Sequence, residues 1–430
     1  MLRPVLLLLL AGASYLAAQG TGLRLFFHLS YLLVALLLLA LLWAWLNLRG
    51  LVVERELLSP RATVGEYARE RINLRNRWLL PKLWVELRDE SQLPGHGAGF
   101  VASFGMGEHG RWLANTRCTQ RGRFRLGPAT LLSGDPFGIV LLKRHVASTN
   151  EILVYPHTED LPQFTLPGAD LSGGQATRAR AFHVSPNVAG IRDYVPGDSM
   201  NYIHWRSTAR TGRLMIKEFE LDPSADVYLV LDMQERAVVQ DRRRTADLAG
   251  GAARAGWPRD RSPQGSNIAY QPSTEEYAVV ATASLARALL AQGKVVGLVA
   301  WGQQHEVIPA ERESRQLLKI LEALAVLRAH SPQPLAELLL AEHARFGRDC
   351  TLVIVTSSVD ERWVGALQQL LYRKVRAVVV FVDPQSFGGR HDPTPILRRL
   401  AELRVPTYRV NQGGSVADAL SAPYTFDAAA

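Results

Sequence analysis

The run Phe26–Leu48 contains no Asp, Glu, Lys or Arg. It is long enough to cross the hydrocarbon core of a bilayer, which takes about 20 apolar helical residues. Trp43 and Trp45 stand near its end, where amphipathic rings favour the membrane–water interface. Val5–Ala18 is a second run of apolar and small residues, and Gln19-Gly20-Thr21-Gly22 between the two reads as a tight turn. Two readings of Val5–Ala18 compete. With Arg3 before it and Leu16-Ala17-Ala18 at its end, it has the form of a cleaved signal peptide. Paired with Phe26–Leu48, it is the first arm of a helical hairpin, and a transmembrane hairpin over residues 1–49 is the expectation. The turn carries Arg24 alone, whereas Arg49, Arg55, Arg61, Arg69, Arg71, Arg75 and Arg77 follow the second run. The positive-inside rule then gives a two-pass protein of the inner (cytoplasmic) membrane, its soluble part in the cytoplasm.

The net charge of +9 and pI near 9.7 come from Arg far more than Lys. In a membrane-anchored chain this fits a positive-inside bias with a charged surface in contact with the lipid bilayer, and nucleic acid is not an expected partner. The two cysteines, Cys118 and Cys350, give neither a disulfide framework nor a zinc spacing.

Residues 50–156 show short alternating runs such as Tyr67–Asn73 and Leu83–Leu87 between turn residues. This predicts a β-sandwich of immunoglobulin-like type. Asp135-Pro136-Phe137-Gly138 is a turn: Asp caps, Pro presets φ, and Gly takes a positive φ. Residues 157–189, poor in large apolar side chains, read as a linker. Residues 221–430 alternate strands with helices, which predicts a mostly parallel sheet covered on both faces. Val227–Leu231, Thr351–Val355 and Val378–Val382 have the unbroken apolar character of central strands. His305–Ile308 is expected as a hairpin partner of Val295–Trp301. Residues 235–273, with Arg242-Arg243-Arg244 and several Gly and Pro, interrupt the alternation as an insertion.

Between linker and α/β domain stands the segment 190–220, GIRDYVPGDSMNYIHWRSTARTGRLMIKEFE. It sets alternating charges beside aromatics around a Pro196-Gly197 turn. The candidate binding residues are Arg192, Tyr194, Gly197, Asp198, His204, Trp205, Arg210, Lys217 and Glu218. Residues this polar are not buried singly, so Arg192, Asp198 and Arg210 are expected in a charge-paired network joining the sandwich to the α/β domain. The block resembles the signature of the domain of unknown function 58 family, with His204 and Arg206 where Asp and Lys are commoner. The resemblance implies a membrane protein with a von Willebrand factor A-like, Rossmann-like α/β domain. It also implies an adaptor role beside a MoxR-type AAA+ ATPase encoded as a separate chain, in protein remodelling or complex assembly. Other membrane or cell-envelope proteins could then be clients.

A von Willebrand factor A-like domain holds Mg²⁺ in a D-x-S-x-S loop after its first strand, with oxygens from later loops. Here the loop is Asp232-Met233-Gln234-Glu235-Arg236: the Asp is present and both serines are missing. Asp232, Ser358 and Asp360 are the candidate ligands, with Asp383 after the next strand. The degenerate loop predicts no resident cofactor and at most weak Mg²⁺ binding. There is no Walker phosphate loop and no G-x-S-x-G elbow. Three classes of function remain. One is the adaptor, expected to meet its partner at the strand ends near Asp232 and Ser358; the others are an enzyme with its site in 190–220 and a metal-dependent adhesion module.

Overall fold

The computed structural model describes residues 2–166, 188–195, 200–219, 226–241, 271–347 and 350–426. Gly197 and Asp198, and most of the expected insertion, lie outside them.

Two helices open the chain, α1 (Leu2–Thr21) and α2 (Arg24–Leu48), both long and apolar enough to cross a membrane. They pack side by side, as a hairpin requires. Ala11, Ser14 and Ala18 are the buried residues of α1, and such small side chains let two helices approach closely. Ser14 Oγ donates to the Phe26 carbonyl and Ser30 Oγ to the Ala11 carbonyl, each at 3.0 Å, which fixes the register of the pair. At its other end α2 is capped by the β domain. Lys82 Nζ donates to the Leu46 carbonyl and Arg144 Nη1 to the Leu48 carbonyl. Cations at the carbonyl end of a helix satisfy its open acceptors and complement its dipole. Asn47 Nδ2 donates to Ser133 Oγ at 2.6 Å.

The β domain contains β1 (Leu51–Leu57), β2 (Arg61–Thr63), β3 (Tyr67–Asn76), β4 (Lys82–Asp89) and β5 (Phe100–Phe104). It continues with β6 (His109–Arg117), β7 (Gly122–Leu126), β8 (Ala129–Gly134), β9 (Leu141–Val146) and β10 (Asn150–Tyr155). The sheets run β1-β3-β6, β5-β4-β8-β9 and β2-β10-β7. Val53, Ile72 and Leu74 from the first pack on Val85, Leu87 and Leu131 from the second, so the layers form a sandwich. Alternate residues of β3 point inward, and one of them is Glu70 rather than an apolar residue. A buried carboxylate needs a partner. Arg55 supplies it, with Nε 2.8 Å and Nη2 3.0 Å from the two Glu70 oxygens, and also donates to Asp89 at 2.6 Å. His96 Nε2 completes the cluster, 3.3 Å from both carboxylates.

The α/β domain is built on β13 (Val227–Asp232), β14 (Val296–Trp301), β15 (His305–Glu311), β16 (Thr351–Thr356), β17 (Arg376–Val382) and β18 (Thr407–Val410). The order is β15-β14-β13-β16-β17-β18, parallel except for the β14–β15 hairpin, so the mostly parallel sheet is borne out. Its long helices are α4 (Thr274–Ala291), α5 (Gln316–Val326), α6 (Leu335–Ala341), α7 (Arg362–Tyr372) and α8 (Thr394–Glu402), with a last turn α9 (Val416–Ala419). One face of the sheet packs on α4, α5 and α9, the other on α6, α7 and α8. The first ten residues of the expected linker belong to this domain. Leu161 and Phe164 are buried in its core, and the Glu159 carboxylate accepts from Ser415 Oγ and the Ala417 amide at the start of α9.

The two domains meet through Arg121, a fully buried side chain in the loop before β7. Its Nε donates to the Leu324 carbonyl at 3.0 Å and its Nη2 to the Leu327 carbonyl at 2.7 Å, both at the end of α5. Glu275 and Glu276, in the first turn of α4, lie 2.7 Å and 2.5 Å from the guanidinium. Arg328 returns the contact by donating to the Arg121 carbonyl. The joint is therefore built from the β domain and α4–α5, whereas the expected network centred on 190–220.

Three substitutions test these buried charges. Arg55→Leu leaves Glu70 and Asp89 buried without their cation and should cost about 3–5 kcal/mol in denaturant unfolding. Burial by itself raises the Glu70 carboxyl, but His96 and Arg55 beside it outweigh this and hold it below its ordinary 4.5. A depressed carboxyl contributes stability above its unfolded pKa and loses it as pH falls through the folded one. The acid limb of the stability curve should therefore flatten in Glu70→Gln; an unchanged acid limb would contradict the assignment. Arg121→Ala should separate the melting of the sandwich from that of the α/β domain in scanning calorimetry, and a single unshifted transition would show that the joint lies elsewhere.

Candidate functional site

β13 and β16 are central strands with apolar residues on both faces, and each ends in an oxygen-bearing side chain. Thr356 Oγ1 donates to Asp232 Oδ2 at 2.6 Å, and the Gln234 amide donates to Asp232 Oδ1 at 3.0 Å. Burial pushes the Asp232 carboxyl above the usual carboxylate range, against these two hydrogen bonds. From β13 the chain moves outward to β14 and β15, then returns to the other side of β13 as β16. The strand order thus reverses between β13 and β16, and an open α/β sheet leaves a crevice at the carboxyl ends of its strands at such a point.

That crevice is a cavity of about 260 Å³. Its walls come from the loops after β13 (Gln234, Arg236, Ala237, Val239), after β16 (Ser357, Ser358, Val359, Asp360, Arg362) and after β17 (Pro384, Gly389, Arg390, His391). Ser357 and Ser358 are buried in the floor; Arg236, Arg390 and His391 are exposed on the rim. Gly388 at φ 88 turns the last loop, and a Cβ on Gly389 would lie 2.6 Å from the Pro384 carbonyl oxygen. The two glycines let this loop fold back so that Arg390 and His391 reach the rim.

The cavity brings Ser358 and Asp360 together above Asp232, but their oxygens are engaged. Asp360 is held in a fork by Arg362, with contacts of 2.8 Å and 2.6 Å to Oδ2, and this hydrogen bonding keeps its carboxyl below the usual range. Ser358 Oγ accepts from the Asp360 amide, and Asp383 pairs with Arg409 at 2.7 Å. Among the described residues no cluster of three His, Cys, Asp or Glu side chains is placed to hold a metal ion. A rim carrying Arg236 repels a divalent cation, so the donor set does not fit Mg²⁺. With Asp360 tied to Arg362, neither Arg236 nor Arg390 has an ion-pair partner among the described residues. The arrangement suits a carboxylate or phosphate at the rim, with hydroxyls and amides beneath it.

The segment 190–220 forms a separate small unit. β11 (Val188–Asp193) pairs antiparallel with β12 (Met215–Phe219), and α3 (Trp205–Thr211) lies between them in sequence. Among its described residues Ile203 and Ile216 are buried, bridged to each other. His204 caps α3: the Ser207 amide donates to its Nδ1 at 3.2 Å. Asp is a strong N-cap residue, so the Asp usual at this position in the signature and the His found here can do the same structural work. Trp205 is 68% exposed, Arg210 is exposed, and Met200 and Val195 stand exposed nearby. Arg192 and Tyr194 are half-buried, and Lys217 is half-buried on β12 beside Glu218. The strong contacts of β11, β12 and α3 are with one another. The sequence reading included Arg236 in the degenerate metal loop but missed Arg390 and His391; the Gly-Gly-Arg-His run in the loop after a central strand was the available signal.

A model of the family described as protein of unknown function DUF58 matches residues 190–253. The uncharacterized protein YeaD of Bacillus subtilis (strain 168) is 20% identical over 365 residues, which cover 83% of each chain. Among solved structures, the CARDB domain of the PF1109 protein from Pyrococcus furiosus, in complex with di-metal ions, is 18% identical. It matches 24% of this chain and 91% of its own, with a TM-score of 0.19.

Because Trp205 and Arg210 face solvent, Trp205→Ala and Arg210→Ala should each change unfolding stability by no more than about 0.5 kcal/mol. A loss of several kcal/mol by chemical denaturation would restore the buried network.

Proposed function

The chain belongs to the DUF58 family, and we propose that it is a membrane-anchored adaptor that captures an acidic segment of a partner protein in the strand-end cavity. The observation that carries this reading is the rim of Arg236, Arg390 and His391 over a floor of Ser357 and Ser358, at the reversal of strand order. Fixed cations around a polar floor favour carboxylates, and rim charges act mainly on encounter and selectivity. In this reading the α/β domain is a von Willebrand factor A-like scaffold whose cation is supplied by arginine rather than by a metal. The arginines after Leu48 support a cytoplasmic cavity at the inner face of the membrane. The partner we propose is a MoxR-type AAA+ ATPase, with the exposed Trp205 face of the 190–220 unit as a second contact.

The roots of the insertion support a role in the same contact. Gln240 bridges Ser273, and the Asp241 amide donates to the Pro272 carbonyl, so the two ends close beside the cavity wall at Val239.

Co-purification from detergent-solubilised native membranes tests the reading. The wild-type chain should recover the ATPase, and Arg236→Glu/Arg390→Glu should reduce recovery about tenfold or more, with an unchanged melting temperature because both side chains are exposed. Equal recovery by both chains, or no ATPase with either, would contradict it. Turnover of a small anionic substrate by the wild type alone would assign the cavity to an enzyme instead.

A further inference from the structure

The β8–β9 turn sits where a bilayer surface should be. From Leu23 to Trp43 is about 30 Å of helix at about 1.5 Å per residue, the thickness of a hydrocarbon core. Helix α1 is 20 residues long, so Arg3 near its start lies at the same surface. Arg3 Nη1 donates to the Gly138 carbonyl at 2.8 Å, which pins the turn to that level. Behind the turn, Val140 packs on Leu37, Ala40 and Ala44 of α2. The β domain therefore does not hang below the helix pair; one of its turns runs alongside α2 into the depth of the interface.

The chemistry of the turn suits that depth. The Asp135 carboxylate is turned inward, accepting from the Phe137 amide at 2.9 Å and the Val140 amide at 2.6 Å, and the residue is 7% exposed. Phe137 is left at the tip, 67% exposed. Trp84 and Leu141, 43% and 50% exposed, line a cavity of about 440 Å³ with Trp43 and with Pro136 and Gly138 on either side of Phe137. Exposed apolar side chains gathered around the end of a spanning helix, with Trp among them, have the composition of an interfacial belt.

We propose that the β8–β9 turn is a bilayer-docking element: Phe137 dips into the headgroup–acyl boundary of a phospholipid bilayer, with Trp84 and Leu141 beside it. Its contiguity with the helix pair names the occupant as lipid. The proposal rests on the reading that α1 and α2 span the membrane, and the experiment separates the two.

The full chain would be reconstituted in vesicles of phosphatidylcholine and phosphatidylglycerol and labelled with an environment-sensitive fluorophore at Phe137→Cys, Leu32→Cys or Tyr372→Cys in turn. The native thiols Cys118 and Cys350 are buried. Leu32 is exposed in the middle of α2, and Tyr372 is 80% exposed in the α/β domain. Lipids with a quencher near the headgroup should quench the label at 137 several-fold more than the label at 372, and lipids with a deep quencher should act most on 32. A label at 137 as unquenched as that at 372, while 32 is quenched, would overturn the proposal and leave the Phe137 tip for a protein contact. If 32 is unquenched as well, the spanning reading fails and the docking element falls with it.

Discussion

The arrangement of this chain depends on one buried guanidinium. Arg121 leaves the β domain and ends among two carbonyls of α5 and two carboxylates of α4. Arg suits such a joint because its planar donors satisfy several acceptors at once and it stays charged when buried. Removing it would leave Arg328 as the remaining cation for Glu275 and Glu276 and would take the donor from two carbonyls of α5, so charge satisfaction helps to set the position of one domain on the other. The same logic holds at the other end of the β domain, where Lys82 and Arg144 close the carbonyl end of α2. Helix pair, sandwich and α/β domain are thus linked in series by cations donating to backbone or carboxylate oxygens.

Such a chain of joints gives the strand-end cavity a defined place. Its location follows from topology: β13 is the first strand of its sheet, and the chain adds strands first on one side of it and then on the other. Its chemistry follows from loops that the topology brings together, contributed after β13, β16 and β17. The adaptor role we propose needs both a fixed position and a selective surface, and a cationic rim over a polar floor would favour acidic groups without any metal.

The sequence made the framework legible where the signal is collective. The charge-free run to Leu48, the apolar runs of β13, β16 and β17, and the hairpin at His305 all appear as elements of the expected type. Single-residue partnerships were not legible. Arg121 and Leu324 are 203 residues apart, and nothing local in Arg121-Gly122-Arg123-Phe124 distinguishes the buried arginine from the exposed one at 123. Glu70 reads as one more polar residue in an alternating strand, yet it is an inward one paired across 15 residues with Arg55. For the 190–220 block, density of charge suggested burial in a network. Among the described residues of the unit Ile203 and Ile216 are buried, while Trp205 stands exposed. At 204 the residue departs from the family pattern, yet the imidazole nitrogen accepts the amide that an N-cap carboxylate would accept.

The central claim is that these joints hold the cavity rigidly with respect to the helix pair and the sandwich. Spin labels at Leu113→Cys on β6 and Tyr372→Cys at the end of α7, both exposed positions, would measure it by pulsed dipolar spectroscopy on the full chain in lipid nanodiscs. The account predicts one narrow distance distribution that broadens when Arg121 is replaced by Ala. A broad or multiple distribution in the otherwise unaltered chain would contradict it.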